Sequence, residues 1–134
     1  MDVPSIQLVQ NSFSKAFARK AELADRFYHH LFQGVPEARG LFQKDFFHQK
    51  EMFTTMLTST VRSMSDQKSF ADLGDRLAVS HARFGVAPAQ YHAAANALIA
   101  ALRDTLGDDL TREEEAAWTQ AIDTLTSQMA GPGA

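Results

Sequence analysis

The sequence predicts an all-α protein with about seven to eight helices around one core, and three observations predict it. Apolar residues recur at spacings of three, four, seven and eight along nearly all of the 134 residues, the spacing of one face of a helix. No pair of alternating stretches joined by a tight turn announces a hairpin. Glycine and proline fall where one periodic stretch stops and the next begins, at Gly34 with Pro36 and at Gly85 with Pro88.

Each element follows from its own pattern. After Pro4, a first helix places Ile6, Val9, Phe13, Ala16 and Phe17 on one face. A second, from about 21 to 33, gathers Ala24, Phe27, Tyr28, Leu31 and Phe32 and leaves His29 and His30 outside the arc. Gly34 and Pro36 end it and open a short helix, "PEARGLF". A longer helix from about 47 to 64 turns Gln49, Met52, Phe53, Met56, Leu57, Thr60, Val61 and Met64 inward. Beyond the turn-like "SMSDQKS", Leu73, Leu77, His81 and Phe84 line one side of the next helix. Gly85 closes that helix by taking the left-handed conformation, and Pro88 begins another that runs to about 105 with Tyr91, Ala94, Ala95, Leu98, Ile99 and Leu102 inward. Thr111 and Glu114 have the spacing of a capping box for the last helix, which buries Ala117, Trp118, Ala121, Ile122, Leu125 and Met129 before "AGPGA" frays. No repeat or linker divides the chain, so residues 1–134 read as one domain.

Composition removes several classes of function. Thirteen basic residues face sixteen acidic ones for a net charge of -3, with no run of five like charges, so neither nucleic acid nor an anionic membrane is an expected partner. The absence of cysteine excludes disulfides, thiolate metal sites and cysteine nucleophiles, and fits a cytoplasmic address. "MDVPSIQLVQ" is not a signal peptide and no apolar stretch reaches the length of a membrane span. HxxxH and HExxH spacings are missing, as are the phosphate loop, the dinucleotide fingerprint and the nucleophile elbow.

Four polar side chains remain on inward arcs of four helices: Tyr28, Gln49, His81 and Tyr91. Singly, each reads as ordinary core or rim. Together they are harder to place, because an unpartnered buried polar group costs about 1 to 3 kcal/mol and a small core holds several only if they partner one another or a bound group. One inward imidazole opposite polar donors, in a pocket rich in Phe, Leu and Met, is what a haem with a single axial histidine needs.

The run "FYHHLF", then "PEARGLF", a glutamine seven residues beyond Phe42, "SHARFGV" with Tyr91 ten residues after the histidine, and "EEEAAW" together resemble bacterial single-domain haemoglobins and the haem domains of flavohaemoglobins, over roughly residues 5 to 129. The resemblance implies the globin fold and haem b as cofactor, with His81 as the proximal iron ligand. It implies that Phe42 wedges against the haem face, that Tyr28 and Gln49 form the distal pair stabilising a gas ligand, and that Phe53 overhangs the sixth coordination site. Tyr91 falls beside the proximal imidazole, and Leu77 and Val86 complete the set in contact with the cofactor.

What the resemblance implies about function is reversible binding of dioxygen, and of carbon monoxide and nitric oxide, at a His-ligated iron. Oxidation of nitric oxide to nitrate would borrow electrons from an external reductase, since no reductase module follows in the chain. Flavohaemoglobin-like members carry a glutamate late in the final helix that completes a proximal network, whereas here no acid follows Asp123. A haem-based gas sensor of a signalling protein is the alternative, and a cofactor-free helical scaffold a third. Monomer and homodimer both remain open, as does the balance between carrier and enzyme.

Overall fold

The computed structural model of the chain describes residues 1–42, 45–83 and 85–130, with 41, 42 and 88 described in backbone only. Those residues form six α-helices and three 3-10 turns, with no strand among them. None of the described helices is long and apolar enough to cross a membrane.

Helix α1 (Val3–Phe17) starts at Asp2, whose carboxylate accepts from the Ser5 N–H at 2.9 Å, and Pro4 occupies the first turn where its missing N–H costs nothing. Val9, Phe13 and Ala16 are buried as the spacing predicts. Phe17 is not. It is the last residue of α1, where the chain turns away, and 43% of it stays exposed beneath the Lys20 ammonium. Helix α2 (Lys20–Gly34) buries Leu23, Ala24, Phe27, Tyr28 and Phe32. The "PEARGLF" segment is a 3-10 helix over Pro36–Phe42.

Helix α3 (Phe46–Ser63) is capped by Asp45, which takes a left-handed φ of 42° and accepts from the His48 N–H at 3.1 Å. Its buried residues are Leu57 and Val61. Met52, expected inward, is 46% exposed, because it lies about 100° round the helix from the Phe53, Leu57 and Val61 stripe. Helix α4 (Gln67–Arg83) buries Leu73 and Gly74. A Cβ at 74 would come within 2.7 Å of the Gln128 side chain, so glycine lets α4 approach the last helix closely. Phe84, placed on the inward stripe, lies outside the described residues, as do residues 131–134 of the fraying tail.

Gly85 has φ 79°, its N–H bonds to Ala82 O at 3.0 Å and the Val86 N–H reaches back to His81 O at 2.9 Å. The helix expected from Pro88 begins instead with a 3-10 turn (Pro88–Gln90) and becomes α5 at Tyr91–Leu106. Helix α6 (Arg112–Ala130) carries the expected capping box, Thr111 N to Glu114 Oε1 at 2.9 Å and Glu114 N to Thr111 Oγ1 at 3.1 Å. It buries Ala117, Trp118, Ala121 and Ile122, with Leu125 and Met129 half-buried. The Trp118 indole donates to Ser12 Oγ at 2.7 Å, and Ser12 donates in turn to Leu8 O at 2.7 Å, tying α6 to α1 through the core. The longest packing runs between α2 and α5, while α4 rests on α6 and α3.

Candidate functional site

Tyr28 sits mid-way along α2, so the same helical period that buries Ala24 and Phe32 carries a hydroxyl inward; 4% of the residue is exposed. Aromatic rings surround it, those of Phe27, Phe46 and Phe53 edge-on at 5.0, 5.1 and 5.7 Å. Phe53 is itself fixed by stacking on Phe27 at 4.2 Å. Gln49, in the first turn of α3 and partly buried, donates its amide to the Tyr28 hydroxyl at 3.2 Å. Burial raises the Tyr28 phenol above its ordinary pKa, with the Gln49 bond pulling the other way, so it stays a neutral O–H with a proton to donate.

A second cluster forms where α4 meets the start of α5. His81 is partly buried one turn after Leu77, and its Nδ1 lies 2.7 Å from the Leu77 carbonyl. A carbonyl only accepts, so the proton is on Nδ1 and in the neutral ring Nε2 keeps its lone pair. The Tyr91 ring stands nearly perpendicular to the imidazole, 5.9 Å from it, and Tyr91 is 6% exposed. Leu77 and Val86 are half-buried beside it in sequence, and Ser80 faces solvent. Among the described residues no carboxylate bonds His81 or Tyr91.

The sequence-derived residues thus assemble as two groups, Tyr28 with Gln49 and Phe53, and His81 with Leu77 and Tyr91. No hydrogen bond or ring contact joins the groups among the described residues. The side chain of Phe42 lies outside the described residues. His29, His48 and His92 are exposed, and His30 is taken up by Asp104 at 2.7 Å. No cluster of three or more His, Asp or Glu fit to hold a metal ion by itself occurs among the described residues.

Haem fits this arrangement. A ring with a bare Nε2 is a competent axial ligand, and its second nitrogen is oriented by a backbone carbonyl as iron-ligating imidazoles require. Phe53 and Met56 on α3, Leu77 on α4, and Ala94, Ala95 and Ile99 on α5 are apolar, inward by period, and yet only partly buried, as is Val86 in the loop after α4. That half-covered apolar lining is what an inserted macrocycle would complete.

Sequence reasoning missed the surroundings of Tyr28. Its outer side borders a cleft of about 200 Å³ lined also by Asp25, His29, Phe32, Arg39, Phe46 and Lys50. The Arg39 guanidinium lies 5.0 Å from the Phe32 ring and the Lys50 ammonium 4.9 Å from that of Phe46. Lys50 and Phe46 are four residues apart on α3, a spacing that brings side chains together on one helix, whereas the Arg39–Phe32 contact joins two elements and no spacing within one helix signals it.

Comparison with known proteins adds a family. The family model described as Globin matches residues 25–129. The flavohemoprotein of Rhizobium meliloti (strain 1021) is 28% identical over 112 residues, covering 81% of this chain and 28% of that protein. That of Bacillus subtilis (strain 168) is 20% identical over 134 residues, covering 98% of this chain and 34% of its own length. The chain therefore spans about a third or less of the relatives it matches.

Proposed function

Because the family match covers most of its length, the chain belongs to the globin family, whose members hold haem, and we propose that it binds haem b through His81 and takes up dioxygen reversibly. Bound in the chain, haem supplies an iron with a coordination position open to a diatomic gas. The observation that carries the reading is the Tyr28–Gln49 pair, a neutral phenol and an amide brought to one place inside a cage of Phe rings.

Each residue has a distinct task. His81 offers Nε2, with Nδ1 held on the Leu77 carbonyl so that the ring does not swing. Tyr28 and Gln49 aim donor hydrogens at negative charge developing on a dioxygen ligand, and in a pocket poor in water such donors act strongly. Phe53, pinned on Phe27, narrows the space and excludes water. Carbon monoxide and nitric oxide enter the same site, and oxidation of nitric oxide to nitrate proceeds there when a separate reductase returns the electrons.

The absorption spectrum of the purified protein tests the cofactor, with a Soret band that shifts on adding dioxygen or carbon monoxide to the reduced form as the expected result. His81→Ala should lose haem during purification while His29→Ala and His92→Ala keep it. Full retention of haem with an unchanged ferrous spectrum in His81→Ala would overturn the assignment of His81.

A further inference from the structure

One ion pair joins the two helices that carry the distal donors. Asp25 precedes Tyr28 by about one turn of α2, and Lys50 directly follows Gln49 on α3. Lys50 Nζ lies 2.8 Å from Asp25 Oδ1 and also 4.9 Å from the Phe46 ring. The Lys50 side chain is 29% exposed against 60% for Asp25, so the ammonium is seated between a carboxylate and a ring rather than waving in solvent. Both residues border the cleft whose inner wall includes Tyr28.

The bond that needs support is the one from Gln49 to Tyr28. At 3.2 Å it is at the long end for an N–H donor, and it depends on a flexible, partly buried side chain in the first turn of its helix. We propose that Lys50 is a positioning residue for Gln49: steadied against Phe46 of its own helix and bonded across to Asp25 of α2, it holds the first turn of α3 against α2 and so keeps the amide on Tyr28 and on the gas beside it. The proposal rests on the assignment of Tyr28 and Gln49 as distal donors.

Partly exposed ion pairs are weak, so the expected effect is about three- to fivefold. In the haem-loaded protein, Lys50→Met and Asp25→Asn should each speed dioxygen release by that factor and leave carbon monoxide association unchanged. Lys50→Arg should restore the slow rate, and raised salt should move the unsubstituted protein part of the way toward Lys50→Met. The effect should vanish in a Gln49→Leu background, since nothing is left to position. A second readout is independent of gas release: the Gln49 side-chain amide resonances should shift toward those of a solvated glutamine in Lys50→Met. Acceleration that persists in Gln49→Leu, a matching rise in carbon monoxide association, or unmoved amide resonances would each overturn the proposal. If Gln49→Leu by itself leaves dioxygen release unchanged, the distal assignment of Gln49 has failed instead, and the amide resonances still report whether Lys50 holds it.

Discussion

Replacing Tyr28 by Phe removes one oxygen atom and little else. The ring is 4% exposed and packed among Phe27, Phe32, Phe46 and Phe53, so a phenyl group of the same outline keeps every aromatic contact. What is lost is the acceptor of the Gln49 amide and the donor proposed for the gas. Gln49 is only partly buried, so its amide finds water or the ligand and adds little penalty of its own. A donor contribution of about 1.4 kcal/mol, near the upper end for a neutral hydrogen bond, corresponds to a tenfold faster dioxygen release. Carbon monoxide places less charge on its outer atom and should respond much less. Stopped-flow release of both gases from the wild type, Tyr28→Phe, Gln49→Leu and the double variant decides the matter. The double variant should fall short of the product of the single effects if both donors serve one ligand atom. Equal acceleration of the two gases would mean that Tyr28 is a steric gate, and no change would remove it from the site.

Other expectations follow from contacts elsewhere in the fold. Ser12→Ala should cost about 1 to 3 kcal/mol in denaturant unfolding, because it leaves the buried Trp118 N–H without its acceptor; a loss within experimental error would show that a water replaces the hydroxyl. The Asp104 carboxyl is held below its ordinary pKa first by its bond to His30 and then by Arg26, which means its contribution to the α2–α5 contact is present above pH 3.8 and fades as the pH falls below it. Asp104→Asn should therefore flatten the acid limb of a stability profile below about pH 4 while leaving neutral gas release unchanged, and an unaltered acid limb would sink that linkage.

Most of the helical frame could be read from spacing because each α-helix has one side fully or partly covered, and Tyr28 and Gln49 were visible for the same reason: they interrupt apolar arcs. The failures have physical causes. Phe17 fits its arc but sits where α1 ends, and spacing carries no information about the neighbour a terminal residue lacks. Met52 falls near the edge of its arc, and only the angle at which α3 leans on α2 decides on which side of the edge it lies. The cap at Asp45 depends on a left-handed φ that aspartate tolerates but does not advertise, and so the start of α3 was read one residue late. Asp25–Lys50 and the Arg26, His30 and Asp104 cluster link helices whose mutual rotation no local pattern encodes.

The two sides of the site differ in what stands behind them, and the difference bears on function. An imidazole backed by a carboxylate is pushed toward imidazolate and donates strongly to a metal, whereas one backed by a backbone carbonyl is oriented with little extra push. His81 leans on Leu77 O, and no carboxylate reaches it or Tyr91 among the described residues. On the other side, two donors converge within 3.2 Å of one another and an ion pair braces the helix that carries one of them. A weak push with a firm distal grip favours holding a gas over splitting it, since breaking an O–O bond needs electron density from the proximal ligand while slow release needs only donors at the far end. On the proposed function, this distribution of polar contacts ranks retention of dioxygen ahead of peroxidase-like chemistry, with control of release assigned to Tyr28, Gln49 and the contacts that orient them.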